Sequence, residues 1–242
     1  QHMGVAGRYV RIAAEASCAA IAMGNAKPVM PAPGGAERLV GTNPLAIGIP
    51  ASGNPIVMDM ATTAGTFGRV REAHAAGQPL PEGWAVDAEG KPTIDPAAAM
   101  AGMLLPMGGA KGFALSFAID LMAGLLSSGA WGDKLGEAGD DTTKPQVSSY
   151  LFIVLDIAHF RALPGFVEEA DAAVRRVRQS KRASGVKRLY TPGERSAEAL
   201  AKSNGMVKLA PAVAKALSEK ARALGVAIPP ALEGEASTAA MG

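Results

Sequence analysis

The sequence lacks most of the residue types that build the commonest catalytic and metal sites. It has one cysteine, Cys18, and three histidines that stand far apart, His2, His74 and His159. A single thiol cannot form a disulfide within the chain, and no cluster has the spacing of zinc ligands. We therefore expect no metal site, a buried structural role for Cys18, and a reducing, cytoplasmic compartment.

An excess of one charge and long apolar runs are also missing. The formal net charge is +2 and 5% of the residues are aromatic, so the sequence does not indicate nucleic-acid binding. The longest apolar stretch contains Asp120 and falls short of the roughly 20 residues that a membrane-spanning helix needs. With 48% hydrophobic and 19% charged residues, the chain is typical of a folded globular protein.

Three well-known nucleotide and hydrolase motifs are absent as well. No strand is followed by G-x-G-x-x-G, so a Rossmann cofactor site is not predicted. The sequence GGAKGF at residues 108–113 has neither the spacing nor the Ser/Thr of a Walker phosphate loop. A G-x-S-x-G elbow is not found, and no nucleophile–base pair favours a hydrolase.

The most informative stretch that is present covers residues 104–128. It opens with a glycine-rich turn that carries Lys111, and its apolar residues then fall on all sides of a 3.6-residue period. The pattern predicts a central helix over residues 111–128 that is buried all round. Its N-terminus, the positive end of the helix dipole, would attract an anion that approaches the glycines closely. The alternative is an ordinary buried helix behind a glycine turn.

Strands are predicted on both sides of this helix. An alanine-rich helix is expected over residues 4–22, followed by a hairpin of strands at 44–49 and 55–60. Asp59 lies inside the second of these strands, where it is either satisfied by backbone N–H groups or contacts a ligand. The near-continuous apolar run at 148–157 predicts a strand buried on both faces.

The end of the chain is helical in character. One helix has its apolar face at residues 166–177, a second begins at 196 and ends at 204, and a third covers 211–224. A turn at 191–195 precedes the second helix. A polar, glycine-rich surface loop is expected at 128–145.

Seven segments in this order resemble one family. They are HMG at residues 2–4, PGGAERLVGTNPLAIGIP at 33–50, PIVMDMATT at 55–63, LPEGWAVDAEGKPTIDP at 80–96, LLPMGGAKGFAL at 104–115, YLFIVLDI at 150–157 and LYTPGERS at 189–196. Together they resemble the malate/L-lactate dehydrogenase family of NAD(P)-dependent oxidoreductases, which is distinct from the Rossmann-type enzymes. The family also includes ureidoglycolate and sulfolactate dehydrogenases and a reductase of piperideine-2-carboxylate.

The resemblance implies the fold and the chemistry. It implies an α/β fold with a mixed, mainly antiparallel central sheet, with residues 1–160 as the cofactor-binding domain and 161–242 as part of a second domain. It also implies a homodimer with the active site near the interface. The cofactor would be NAD or NADP, and hydride would pass between C4 of nicotinamide and a small 2-hydroxy acid or 2-oxo acid.

The resemblance also assigns site residues. His2 matches the family histidine near the reacting carbon, and its pKa range suits proton exchange with the substrate oxygen. The residues that match cofactor contacts are His2, Met3, Gly4, Val5, Ala6, Thr42, Asp59, Met60, Ala61, Lys111, Gly112, Pro192, Gly193, Glu194, Arg195 and Ser196. In the last turn, Arg195 could pair with a 2′-phosphate, since a guanidinium suits bidentate phosphate binding.

Two departures from the family keep alternatives open. Family members carry a segment before the histidine motif that this sequence does not include, so a truncated, non-catalytic nucleotide-binding remnant is one alternative. The second departure is Arg69, which stands where imine-reducing members carry Asp. It favours a hydroxy acid over a cyclic imine, and an NADPH-dependent cyclic-imine reductase is the other alternative.

Overall fold

A computed structural model describes residues 3–135, 147–207 and 209–233. It divides the chain into two compact units, Gln1–Arg195 and Ser196–Gly242. The domain boundary at residue 160, which the family resemblance implied, is a different division and stays a prediction. Of the predicted loop at 128–145, the part from 136 onward lies outside the described residues. The described helices include none that is long and apolar enough to cross a membrane.

The first unit is built on a four-stranded antiparallel sheet, and the predicted mixed α/β fold is confirmed. Its strands are β1 (Cys18–Gly24), β2 (Leu45–Ile49), β3 (Ile56–Met60) and β7 (Tyr150–Asp156), in the order β3-β2-β1-β7. The predicted hairpin is confirmed, because β2 pairs with β3 from Leu45 opposite Met60 to Ile49 opposite Ile56. Both β3 and β7 are therefore edge strands.

Helix α1 (Ala6–Glu15) is shorter than the sequence predicted. The expected helix over residues 4–22 is wrong in its second half, because Ser17 turns the chain with φ 66° and β1 follows. Helix propensity favours alanine, but pairing with two strands overrides that weak preference. The small side chains of Ala20 and Ala22 form one buried cluster with Val10 of α1, so the helix packs closely on the sheet. Cys18, predicted buried, is half-buried at the start of β1.

Helix α4 (Ala110–Leu126) begins and ends within two residues of its predicted bounds, but its predicted burial is wrong. Its buried residues form a stripe that is mostly small or polar: Gly112, Ser116, Ile119, Asp120, Ala123 and Gly124. Large apolar side chains lie on the opposite face, where Leu126 is 71% exposed. The apolar pattern therefore reflects a second face that the described residues leave partly exposed.

Strand β7 departs from its prediction in the same way. The run was expected to be buried on both faces, yet β7 pairs only with β1 among the described strands. Phe152 is 48% and Val154 is 58% exposed, on the face of the sheet where the ring of Tyr9 from α1 packs against Phe152. A continuous apolar run needs cover on two faces, and the described chain supplies only part of it.

The remainder of the first unit is a smaller layer beside this sheet. Three short strands, β4 (Ala85–Val86), β5 (Pro92–Thr93) and β6 (Met103–Leu104), form a sheet in the order β5-β4-β6. Around them lie α2 (Phe67–Ala75) and α3 (Pro96–Ala101), and their common core includes Val70, Leu80, Ala99 and Leu104.

The helical end of the chain is confirmed. Helix α5 (Leu163–Gln179) follows β7, and α6 (Glu194–Ser203) begins two residues before the predicted position. Within the second unit, α7 (Pro211–Ala223) starts at a proline as expected, and α8 (Pro230–Glu233) follows it.

Candidate functional site

The carboxylate of Asp59 on β3 holds the start of α1. Its Oδ2 accepts the backbone N–H of Gly7 at 2.7 Å, while the N-cap residue of the helix, Val5, has no capping side chain. A Cβ on Gly7 would lie 3.0 Å from Asp59 Oδ2 and 3.1 Å from a methyl group of Val57, so a larger residue would require these side chains to shift. Of the two interpretations of Asp59, a hydrogen bond from a backbone N–H group is therefore observed for Oδ2. The residue is exposed rather than buried.

A second contact fixes the chain just before α1. The hydroxyl of Tyr9 donates to the carbonyl oxygen of Met3 at 2.9 Å, and Gly4 turns the backbone with φ 76°. Met3 also packs against the buried cluster beneath α1. The segment Met3–Ala6 is therefore held in place beside Asp59. His2 lies outside the described residues.

The exit of β3 joins the loop that contains Thr42. Both the backbone N–H and the hydroxyl of Thr62 donate to the carbonyl oxygen of Thr42, each at 2.9 Å. The carbonyl of Thr62 in turn accepts the N–H of Met107 at 2.9 Å, immediately before the glycine turn of α4. Residues 42, 59–63 and 107–112 thus converge, although they are far apart in sequence.

Sequence reasoning missed the buried amide that stabilises this junction. Asn43 donates through Nδ2 to the carbonyl of Ser116 on α4 at 2.9 Å, and its Oδ1 accepts the N–H of Ala26 at 2.9 Å. The hydroxyl of Ser116 donates to the carbonyl of Gly41 at 3.1 Å. A buried polar group must be satisfied, so these bonds specify how the loop docks on the helix. A polar residue immediately before Pro44 was the available signal.

The N-terminus of α4 has the properties of an anion site. Gly108 and Gly109 have φ of 60° and 66°, and a Cβ on either would meet nothing within 4 Å, so the turn faces open space. No side chain caps the helix at Gly109, and Lys111 is exposed in the first turn. Gly112 packs so closely that a Cβ would lie 2.1 Å from the carbonyl of Met107. Helix dipole, open backbone and cation together fit a phosphate group.

The turn at residues 191–195 lies against the other end of β3. Gly193 has φ 80°, and a Cβ there would lie 2.6 Å from the carbonyl oxygen of Val57, so only glycine allows this approach. Pro192 precedes it in the turn, and Ser196 begins the second unit.

Glu194 is the centre of a group of contacts inside this turn. Its side chain is 8% exposed. Its Oε2 accepts the N–H and the hydroxyl of Thr191, each at 3.0 Å. Oε1 lies 3.3 Å from Nε of Arg178 and forms a close ion pair with Arg188. These partners, the N–H of Thr191 first among them, lower the pKa of Glu194 to about 2.

Two guanidinium groups flank one aromatic ring beside Glu194. The guanidinium carbons of Arg188 and Arg195 lie 4.8 Å and 4.5 Å from the ring centroid of Tyr190. Within the described ranges, no carboxylate lies within 4 Å of the guanidinium nitrogens of Arg195. Among the residues that the structure describes, no carboxylate therefore forms an ion pair with Arg195.

The predicted site residues are thus arranged along β3. Asp59 contacts the start of α1, the exit of the strand contacts the Thr42 loop and the approach to α4, and Val57 contacts Gly193. Met60 and Ala61 are half-buried at the strand exit. Arg69 is not joined to this group by any observed contact: it is exposed in α2, 3.9 Å from Glu72.

The sequence analysis noted Asp120 only as an interruption of an apolar stretch, and the structure shows it buried in α4. Its Oδ2 accepts the N–H of Gly132 at 2.7 Å, which fixes the turn after the helix, and its Oδ1 has no partner among the described atoms. Burial raises the pKa of Asp120 above its usual value, against the lowering effect of Gly132 and Asn25. Its role is structural, since it lies about 13 Å along the helix from Lys111 by the helical rise.

Comparisons with known proteins find similar sequences. The sequence profile described as malate/L-lactate dehydrogenase matches residues 1–218. A malate dehydrogenase of Pyrococcus horikoshii is 33% identical over 202 residues, which is 80% of this chain and 55% of that protein. An NADP(+)-dependent (2R)-3-sulfolactate dehydrogenase of Chromohalobacter salexigens is 39% identical over 176 residues, 71% of this chain and 51% of that protein.

The fold is also similar to solved structures. Sulfolactate dehydrogenase from Methanocaldococcus jannaschii superposes with a TM-score of 0.84 at 30% identity, and the match covers 93% of this chain and 65% of that one. The chain spans about half the length of the curated relatives it matches.

Proposed function

The chain belongs to the malate/L-lactate dehydrogenase family, and we propose on that basis that it carries the cofactor-binding part of an NAD(P)-dependent oxidoreductase. The reaction would move a hydride between nicotinamide and a small 2-hydroxy acid or 2-oxo acid. The observation that carries the proposal is the line of contacts along β3, which joins four separate stretches that the resemblance assigns to the cofactor.

Each end of this line offers a cation to a dinucleotide. At one end, Lys111 and the uncapped start of α4 would hold phosphate oxygens. At the other, Pro192, Gly193 and Arg195 would hold the adenosine end. Nicotinamide, when bound, supplies or accepts the hydride at C4. The residues of the chain bind and orient it and keep the backbone of Met3–Ala6 beside it.

His2 is proposed as the group that exchanges a proton with the substrate oxygen. When a 2-oxo acid is reduced, hydride reaches the carbon and a proton must reach the oxygen. An imidazole titrates near neutral pH, so it can give up and regain that proton. The bond between Tyr9 and Met3 supports the role, because it fixes the residue next to His2.

Arg195 supports a preference for NADP. A 2′-phosphate adds a charge of about −1.5 to −2 near pH 7, and a guanidinium without a carboxylate partner can bind it in a bidentate manner. For the substrate, the resemblance implies that Arg69, in place of the Asp of imine-reducing members, favours a hydroxy acid over a cyclic imine. The similarity to malate and sulfolactate dehydrogenases points the same way.

We also propose a cytoplasmic homodimer. Support for the dimer comes from the exposed apolar residues of β7 and of the outer face of α4, which a second copy would cover. Support for the compartment is the unpaired thiol of Cys18.

Cofactor binding and turnover test the function separately. Fluorescence titration with NADPH and NADH is expected to show binding that weakens by about tenfold in Lys111→Gln, since one charge-assisted phosphate contact is lost. Lys91→Gln, the same substitution at an exposed position on another loop, is the matched control. Reduction of pyruvate, oxaloacetate and piperideine-2-carboxylate is then followed at the nicotinamide absorbance band.

Three outcomes of these assays separate the alternatives. Turnover of a 2-oxo acid supports the proposal. Turnover of the cyclic imine alone would favour the reductase, and binding without any turnover would favour the non-catalytic remnant. Unaltered binding in Lys111→Gln would contradict the proposed phosphate contact.

A further inference from the structure

Three arginines lie at or beside the turn that carries Glu194. Arg178 and Arg188 contact the carboxylate of Glu194, and Arg195 follows Glu194 in the chain. Two of these guanidiniums are paired with Glu194, and the third, on Arg195, lies 4.5 Å from the Tyr190 ring centroid instead. Glu194 thus determines which of the three arginines can accept a further anion.

The same carboxylate also fixes the shape of the turn. It accepts both donors of Thr191, and the turn presses Gly193 against the carbonyl of Val57 on β3. With its side chain 8% exposed and both oxygens engaged, Glu194 has little surface with which to touch a ligand. Its influence on binding must then pass through its neighbours.

We propose that Glu194 is a positioning residue that limits the preference for a 2′-phosphate: it engages Arg178 and Arg188, so that Arg195 alone of the three is left to bind the phosphate, and its own charge opposes the phosphate. The inference rests on the proposed adenosine site at this turn. We therefore expect the Glu194 carboxylate to weaken phosphate binding electrostatically, although Arg195 still gives the wild-type turn a preference for the 2′-phosphorylated ligand.

Two adenosine fragments isolate this effect from catalysis. Calorimetric titration with 5′-AMP and with 2′,5′-ADP gives the ratio of their dissociation constants, which reports the added 2′-phosphate alone. Glu194→Gln keeps the size of the side chain and removes one negative charge beside Arg188. We expect the preference for 2′,5′-ADP over 5′-AMP to rise by roughly three- to tenfold, the usual range when one partly screened charge is removed near a binding site.

Conservative and opposing variants make the test specific. Glu194→Asp keeps the charge and is expected to restore a ratio within about twofold of the wild type. Arg195→Gln should lower the ratio by roughly tenfold, and the increase caused by Glu194→Gln should shrink in that background. If Glu194→Gln fails to fold, Arg178→Gln serves instead, with an expected decrease of the ratio because Glu194 then loses one neutralising partner.

The outcomes separate this inference from the proposed function. Equal weakening of both fragments in Glu194→Gln, or an unchanged ratio in Arg178→Gln, would mean a merely structural role and overturn the inference. Failure of both fragments to bind the wild-type chain would overturn the adenosine site itself, and the inference with it.

Discussion

The two edge strands of the main sheet, β3 and β7, differ in the groups that contact them. An unpaired edge strand exposes backbone groups that can pair with another chain. The β3 edge is approached by Gly193 at Val57, and Asp59 of the same strand binds α1. The β7 edge has no partner strand in the part of the chain that the structure describes, and its apolar side chains are half-exposed.

Polar contacts are concentrated at β3, and exposed apolar area is concentrated at β7. At β3, glycines and a carboxylate bring separate stretches into contact, which is what a binding site requires. At β7, there are large apolar residues without protective lysine or proline, which is what an interface requires. We therefore propose that the β3 edge serves the cofactor and the β7 edge a partner copy.

Gly193→Ala is expected to break the β3 side of the comparison most strongly. The new Cβ would lie 2.6 Å from the carbonyl of Val57, at a φ of 80° that L side chains disfavour. We expect a loss of about 3 kcal/mol in unfolding free energy and a large loss of affinity for 2′,5′-ADP. Denaturant unfolding and calorimetry measure the two effects.

Gly185→Ala is the control for that change. Gly185 has φ 78° but no atom within 4 Å of a Cβ, so the variant has the same backbone cost without the contact. Equal losses in the two variants would show that contact with β3 is unimportant.

Val154→Glu tests the β7 side. Burying an unpaired carboxylate in an apolar interface is expected to weaken a dimer by roughly 2 kcal/mol, while NADPH binding stays unchanged. Analytical ultracentrifugation gives the dissociation constant, with Ile94→Glu, an exposed position beside β5, as the control. A wild-type chain that is monomeric, or a dimer untouched by Val154→Glu, would contradict the assignment of this edge.

Asp59→Ala removes the carboxylate that caps α1. We expect about 1 kcal/mol lower stability, the usual cost of a lost cap, together with weaker NADPH binding because Met3–Ala6 is no longer held. Asp95→Ala is the matched control, since Asp95 caps α3 through Ala97 and Ala98, away from the site. A stability loss without any change in cofactor affinity would limit Asp59 to a structural role.

Asp120→Asn is expected to have the smallest effect, on pH dependence. Burial raises the folded-state pKa of Asp120 above 3.8, so the folded state holds its proton more tightly than the unfolded state. Stability should therefore fall as pH rises from 3.8 through the raised pKa. Asn keeps an acceptor for Gly132, flattens this decline and adds roughly 1 kcal/mol or less at neutral pH. Asp133→Asn, exposed in the same turn, should retain the decline, and a decline that persists in Asp120→Asn would refute the assignment.

The sequence predicted local structure better than it predicted burial. The hairpin, the bounds of α4 and the helices after residue 163 follow from turn residues and local periodicity, which act over short distances. The strand at Cys18–Gly24 did not follow, because pairing with distant strands outweighed the preference of alanine for helices. The exposure of Leu126 and Val154 could not be foreseen from a single chain, since an apolar pattern does not say which molecule covers it.

The site divides in the same way. Asp59, Lys111 and the turn at 191–195 were proposed from motifs and the resemblance and stay predictions, whereas the bonds through Thr62 and Asn43 depend on tertiary contacts. The inward orientation of Glu194 likewise depends on Arg178 and Arg188, which lie 16 and 6 residues away in sequence.

The central claim is that one dinucleotide spans β3 from the start of α4 to the turn before α6. Hydrogen–deuterium exchange with and without saturating NADPH tests it directly. We predict slower exchange at the backbone amides of two segments, 108–112 and 191–195, with little change at β7. Protection confined to one of these segments, or found only at β7, would contradict it.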